Sequence, residues 1–214
     1  MRAIRLLVLG LFVLLAASPS VAAGPPFNAA QRQAQIERIR DGLNSPDPTK
    51  RLVTLEQALA AKDATIRRVA LSTAFASSDG DLRAAALVAA VGSAPTFVVD
   101  ITGADRANDS KYSSTGLGAS FEVRIQQFDR STGTFKASTS ASYMYNEPPR
   151  LLPGSVSGDR LNFEFSTDRL AGLHGAGCSG VARLQGGTTR LTGTMTCLTP
   201  NHRENYSIAI DVPR

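Results

Sequence analysis

A repeated pattern of polar and apolar positions organises the first half of the chain. Three stretches align at a spacing of 16 residues, beginning at Asp47, Asp63 and Asp79. In each, an arginine follows the aspartate after four residues, and apolar residues follow after eight, eleven and twelve. The aligned residues are Arg51, Arg67 and Arg83; Leu55, Leu71 and Leu87; Ala58, Ala74 and Ala90; and Leu59, Phe75 and Val91. The three apolar positions fall on one face of an α-helix, so each stretch predicts a short amphipathic helix.

The repeated residue types have physical reasons. Aspartate is a favourable N-cap, because its carboxylate accepts backbone N–H groups at the positive end of the helix dipole. An arginine four residues later can reach back to the same aspartate, which predicts a local surface ion pair in each unit. Short helices with short connections must fold back antiparallel. A further helix over residues 28–43, with Ile36, Ile39 and Leu43 on one face, is expected to cap the stack.

The Asp-x-x-x-Arg-x-x-x-Leu units resemble HEAT-like repeats, and the resemblance covers residues 28–92. HEAT-like repeats stack pairs of helices into α-solenoids. They are generally scaffolds that bind other proteins through a helical face, so the resemblance implies a protein-binding surface. Two alternatives stay open: a small bundle instead of a solenoid, and a helical cap that only packs on the next domain.

The pattern changes at Ser93-Ala94-Pro95, where alanine-rich helix gives way to alternating apolar positions with Gly, Ser and Thr. Tight turns are expected at Asp129–Gly133 and Gly158–Asp159. The predicted strands are 97–101, 120–128, 134–145, 154–157, 160–166, 178–185, 189–197 and 206–212. This predicts an α+β fold, with a helical-repeat bundle over 24–93 and an antiparallel up-and-down β-barrel or β-sandwich over 94–214.

The strand pattern is similar to the small ligand-carrying barrels, lipocalin-like or avidin-like, although the chain has no Trp, a residue that both families commonly use. The resemblance implies a carrier whose interior holds a small apolar ligand. Its expected lining residues are Phe121, Phe135, Tyr143, Phe163 and Phe165. The same side chains also fit an ordinary packed core, because small barrels are commonly filled by their own side chains.

The first 23 residues have the three parts of a bacterial-type export signal. Arg2 and Arg5 provide positive charge, an apolar run follows over 6–15, and Val21-Ala22-Ala23 predicts cleavage before Gly24. The alternative, a membrane anchor, is disfavoured because the run is well short of the roughly 18 residues that span a bilayer. We therefore expect a periplasmic or secreted protein that is not inserted in the membrane after cleavage.

Two cysteines fall on the two strands of one predicted hairpin. With Gly187-Thr188 as its turn, opposite residues have numbers that sum to 375, which places Cys178 opposite Cys197. Opposite residues are close enough for a disulfide, and an exported chain favours one. The alternative is a zinc site completed by His174 and His202, which lie four and five residues from the cysteines. Ligands for zinc usually come from tighter turns, so no metal is expected.

Charge and motifs exclude several classes of function. The net charge of +5 falls by two when Arg2 and Arg5 are removed, and no basic run or basic–aromatic patch is present. Nucleic acid is therefore not an expected partner. The chain has no nucleophile elbow, zinc-protease motif, phosphate loop or calcium loop. Glu122 and Glu164 alternate with apolar residues on their strands and should face solvent. No catalytic residue and no cofactor are expected.

The sequence therefore favours an exported, non-enzymatic interaction or scaffold protein, whose helical repeat binds another envelope protein. An exposed apolar stripe on residues 47–92 is the feature expected of such a surface. The second hypothesis is a carrier of a small apolar ligand. The third is an exported enzyme, which would need Glu147, Arg150, His174 or His202 to converge in a polar cleft.

Overall fold

The computed structural model describes residues 29–105, 120–139, 151–166, 177–198 and 203–213, and in these residues four helices precede eight strands. The helices are α1 (Ala29–Leu43), α2 (Pro48–Leu59), α3 (Ala64–Ala76) and α4 (Gly80–Ser93). The strands are β1 (Thr96–Asp105), β2 (Ser120–Asp129), β3 (Thr134–Thr139), β4 (Leu152–Ser157), β5 (Arg160–Ser166), β6 (Gly177–Leu184), β7 (Arg190–Leu198) and β8 (Arg203–Asp211). The predicted α+β fold is confirmed.

Each of the three repeated units begins with its aspartate as the helix N-cap. The Asp47 carboxylate accepts hydrogen bonds from the backbone N–H groups of Thr49 and Lys50. Asp63 accepts one from Thr65, and Asp79 caps α4 in the same way. The caps fix the starts of α2, α3 and α4, which therefore repeat every 16 residues.

The apolar positions of the repeat form the core of the helical unit. The leucines at the eighth position and the alanines at the eleventh are buried in all three helices. Helix α1 packs on α2 and α3, and α2 packs on α3 and α4. These first two helices therefore each contact the two helices that follow them. None of the helices in the described residues is both long and apolar enough to cross a membrane.

The prediction of an ion pair between each aspartate and the arginine four residues later is wrong. The guanidinium of Arg51 instead reaches Asp79, 28 residues away, and Arg32 reaches Asp63. The reason is that each aspartate turns its carboxylate onto its own helix N-terminus. The arginine side chain points back past that terminus, because helical side chains tilt toward the start of the helix. It therefore meets the preceding connection and a neighbouring helix.

The eight strands form one closed barrel in the order β1 to β8, with every neighbouring pair antiparallel and β8 paired to β1. This settles the barrel-or-sandwich alternative in favour of the barrel. The three described turns, which join β2 to β3, β4 to β5 and β6 to β7, each contain a glycine with positive φ. These are Gly133, Gly158 and Gly187, at 68°, 59° and 74°. All three turns lie at the barrel end where β1 begins.

The predicted pairing of β6 with β7 is confirmed, and it brings the cysteines together. Leu184 lies opposite Leu191, and Cys178 lies opposite Cys197. The last bonded pair before the turn is Gln185 and Arg190, since the N–H of Gln185 donates to the carbonyl of Arg190. The turn therefore spans the four residues 186–189 instead of two, and the numbers of opposite residues still sum to 375. The two cysteines form a disulfide with their Cα atoms 4.1 Å apart.

Aromatic rings and glycines fill the barrel interior together. The rings of Phe97 and Phe163 meet edge to face with centroids 6.2 Å apart. A Cβ on Gly180 would lie 2.3 Å from the Phe163 ring, and a Cβ on Gly154 would lie 2.2 Å from the Phe135 ring. Each glycine lies opposite its ring on the neighbouring strand, and the missing side chain leaves the space that the ring occupies.

Helix α4 packs against the end of the barrel. A Cβ on Gly92 would lie 2.6 Å from the ring of Phe128, which shows how closely the helix backbone approaches this β2 side chain. The carbonyl of Pro95, just before β1, accepts a hydrogen bond of 2.9 Å from the N–H of Ile125 on β2. The buried residues of the helices and of the barrel form one continuous hydrophobic cluster. The two parts therefore have a defined relative position.

Candidate functional site

A cavity of about 720 Å³ lies where the helical unit meets the barrel, and we call it the junction pocket. It is lined by the C-terminal parts of α2 and α4, the α2–α3 connection, helix α3, the α4–β1 connection with the start of β1, the β2–β3 turn and the segment after β8. Its lining residues are Leu59, Ala60, Ala61, Lys62, Ala64, Arg67, Arg68, Leu71, Ala89, Ser93, Ala94, Pro95, Thr96, Arg130 and Pro213. Its size is within the range of ligand-binding cavities in proteins.

The charged residues in the described lining of the junction pocket are all basic. Lys62, Arg67, Arg68 and Arg130 line it, and among the described residues no aspartate or glutamate does. The ion pairs between described residues involve none of these four cations. Apolar groups, including Leu71, line the cavity alongside them. Such a lining favours an anionic group attached to an apolar or neutral body.

Arg67 is the cation that the fold positions most firmly. Its Nη1 atom donates hydrogen bonds of 2.6 Å to the carbonyl of Ala61 and 3.0 Å to the carbonyl of Lys62. These carbonyls belong to the α2–α3 connection, so the guanidinium fixes that connection while partly buried. The bonds engage only one of its terminal nitrogens. The other edge of the guanidinium therefore retains donors for an acceptor in the pocket.

A smaller cavity of about 380 Å³ lies one repeat earlier and contains an ion pair between Arg51 and Asp79. The Nε atom of Arg51 donates to Oδ2 of Asp79 over 2.7 Å, and both side chains are mostly buried. This hydrogen bond is the main cause that lowers the pKa of Asp79 below its ordinary value. The carboxylate therefore stays ionised as the partner of Arg51.

A second ion pair joins Asp63, the N-cap of α3, to Arg32 of α1. The pKa of Asp63 is lowered first by the backbone N–H of Thr65 and further by the positive charge of Arg32 on α1. The two pairs link helices that are two apart in sequence, α1 with α3 and α2 with α4. Two of the three N-cap aspartates, Asp63 and Asp79, therefore also join helices through an ion pair.

The structure describes part of the lining that we expected for an apolar ligand. Phe121, Phe135 and Phe163 are buried inside the barrel. Phe165 lies on β5 with its backbone opposite Cys178, and its side chain is not among the described parts. Tyr143 also lies outside the described residues. At the level of Phe163 the rings and backbone occupy the interior, and Phe97 joins them although the sequence had not indicated it.

The remaining candidates divide in the same way. Glu164 is exposed and Glu122 lies 3.7 Å from Arg124 on the outer face of β2. Glu147, Arg150, His174 and His202 lie outside the described residues. Within the described ranges no three His, Cys, Asp or Glu side chains are grouped closely enough to hold a metal ion.

A polar contact inside the barrel also escaped the sequence analysis. The hydroxyl of Tyr206 donates a hydrogen bond to the carboxylate of Glu204. Both residues lie on β8, where Tyr206 pairs with Met195 and Glu204 pairs with Cys197 of β7. Alternation would have placed Glu204 and Tyr206 on the inner face, because they are four and two residues before Ile208.

Comparison with known proteins finds no matching family model, no significantly similar curated protein and no significantly similar solved structure.

Proposed function

We propose that this protein is an exported, non-enzymatic interaction protein that binds an envelope protein at the junction pocket. The export signal over residues 1–23 and the disulfide support a periplasmic or secreted location. The HEAT-like pattern of the helical unit supports a scaffold role, and the lipocalin-like barrel acts as its rigid base.

The single observation that carries this proposal is the charge of the junction pocket. Four cations line one cavity, and among the described residues no carboxylate lines it or forms an ion pair with them. Concentrating like charge is unfavourable for the isolated chain, so such a site is better explained by binding than by stability. The α2–α3 connection, helix α3 and the β2–β3 turn hold the cations, which gives the surface a defined shape for a partner.

The mode of contact differs from the one expected from the sequence. The apolar positions of residues 47–92 are used between the helices, and in the described helices Val53 is the only large apolar side chain that is exposed, at 44%. An apolar stripe is therefore not the docking surface that we propose. Charge complementarity takes its place, and the partner surface should be acidic.

Native mass spectrometry of the protein purified from an exporting host, without reduction, tests the proposal. We expect a chain that begins at Gly24, has a mass two hydrogens below the reduced mass and carries no small ligand. The same spectrum recorded with an acidic partner present should show a complex that dissociates as salt rises. A tightly held apolar compound of a few hundred daltons would instead support the carrier hypothesis, and retention of residues 1–23 would contradict export.

A further inference from the structure

The junction pocket and the smaller cavity around Arg51 are corresponding sites in successive repeats. Seven residues line the smaller cavity: Leu43, Asn44, Ser45, Arg51, Ser77, Ser78 and Asp79. Adding 16 to each number gives Leu59, Ala60, Ala61, Arg67, Ser93, Ala94 and Pro95, all of which line the junction pocket. The correspondence therefore extends to every residue of the smaller site.

The arginines of the two sites are held identically. Nη1 of Arg51 donates to the carbonyls six and five residues before it, at 2.7 and 3.1 Å. Nη1 of Arg67 donates to the carbonyls at the same offsets, at 2.6 and 3.0 Å. The backbone of each connection thus presents the guanidinium in the same orientation to its cavity.

The sites differ in the residue that faces the arginine. In the smaller cavity, Asp79 supplies the carboxylate that accepts from Nε of Arg51 over 2.7 Å. Sixteen residues later the chain has Pro95, which has no acceptor on its side chain. The junction pocket is also larger, at about 720 Å³ against about 380 Å³. A carboxylate from outside could therefore take the position of the missing aspartate, with space for the residue that carries it.

We propose that the junction pocket binds an aspartate or glutamate side chain from an acidic segment of the partner, seated on Arg67 as Asp79 is seated on Arg51. This inference rests on the proposed function and specifies its ligand. The planar guanidinium fork matches a carboxylate. Lys62, Arg68 and Arg130 attract further negative charge, while Leu59 and Leu71 contact the apolar part of the bound segment.

Nitrogen NMR of the arginine side chains tests the inference in the purified protein. The Nε–Hε signal of Arg67 is identified by its loss in Arg67→Lys. The probes are the blocked peptide Leu-Asp-Leu, the blocked peptide Leu-Asn-Leu and inorganic phosphate. We expect the aspartate peptide to shift the Arg67 signal saturably, the asparagine peptide to leave it unchanged, and phosphate to bind more weakly than the aspartate peptide.

Two matched substitutions at one position separate the carboxylate from any effect on folding. Pro95→Asp restores the aspartate of the repeat, and its carboxylate should accept a hydrogen bond from Arg67 within the same chain. Pro95→Asn introduces a side chain of the same shape as aspartate without its charge. We expect the first to weaken binding of the aspartate peptide by about tenfold or more, in line with one charged hydrogen bond, and the second to retain binding. Both keep the backbone carbonyl of residue 95 that accepts from Ile125.

The inference would be overturned by no shift at Arg67, by an equal response to both peptides, or by equal loss of binding in both variants. A response to phosphate that exceeds the response to the aspartate peptide would also overturn it. The proposed function fails separately. Carboxylate binding at Arg67 without any envelope partner would retain the carboxylate site and remove the proposed function, whereas a partner that docks at the pocket independently of Arg67 would leave only the proposed function.

Discussion

Arg51 on α2 and Asp79 at the start of α4 form an ion pair between two helices that are not consecutive. Asp79 also accepts N–H groups of its own helix, so a single carboxylate both caps α4 and holds it against α2. In this pair the arginine and the aspartate of the repeat come from different units. The contact that all three repeated arginines share is a hydrogen bond to the carbonyl six residues before them.

Asp79→Asn should lower the free energy of unfolding by about 1 kcal/mol at neutral pH, because asparagine retains the cap but not the charge. The Arg51 hydrogen bond lowers the pKa of Asp79 below 3.8. Its contribution is therefore complete above pH about 4 and is lost as pH falls through the lower pKa of the folded protein. Urea unfolding at pH 7 and pH 3 checks this, and a deficit that is larger at pH 3 would contradict it.

Gly180→Ala should destabilise the barrel by about 1–3 kcal/mol, because the added methyl group would overlap the buried Phe163 ring. Gly177→Ala on the same strand is the control, since a Cβ at that position would have no neighbouring atom within 4 Å. Thermal unfolding compares the two. Adding Phe163→Leu to Gly180→Ala should relieve part of the loss in a double-mutant cycle. Simple additivity of the two effects would show that the ring does not need the glycine.

Removing the disulfide by Cys178→Ala with Cys197→Ala should cost about 3 kcal/mol, because the bond closes a loop with a sequence separation of 19 residues in the unfolded chain. The folded barrel should persist, since β6 also pairs with β5. A reductant should lower the melting temperature of the native protein and leave that of the double variant unchanged. Two reactive thiols in unreduced native protein would contradict the bond and revive the zinc alternative.

The sequence predicted those parts of the fold that depend on local patterns. The N-caps Asp47, Asp63 and Asp79 follow from residue type and spacing. The pairing of β6 with β7 followed from placing the turn at Gly187-Thr188, which makes the numbers of opposite residues sum to 375. The observed turn has one more residue on each side. This leaves the sum, and therefore the pairing, unchanged. Inward-facing residues such as Val123 and Ile208 followed from alternation alone.

Long-range relationships were outside the reach of these patterns. The partner of Arg51 depends on how α2 stacks on α4, which no local spacing shows. Gly180 became informative only when the register placed it opposite Phe163. The junction pocket combines a helical connection with Arg130 of a distant β-turn. Its one sequence signal is the replacement of the repeated aspartate by Pro95, and this signal has meaning only once the Arg51–Asp79 pair is known.

The most direct test of the account is site-specific photocrosslinking in exporting cells. A photoreactive amino acid at Arg68 probes the junction pocket, and one at Val181, which is exposed on the barrel wall, is the control. We predict one crosslinked envelope protein at position 68 and none at 181. The purified partner should then bind the native protein more tightly than the Pro95→Asp variant. Equal labelling at both positions, or a partner that crosslinks only at 181, would contradict the central claim that the junction pocket is the binding site.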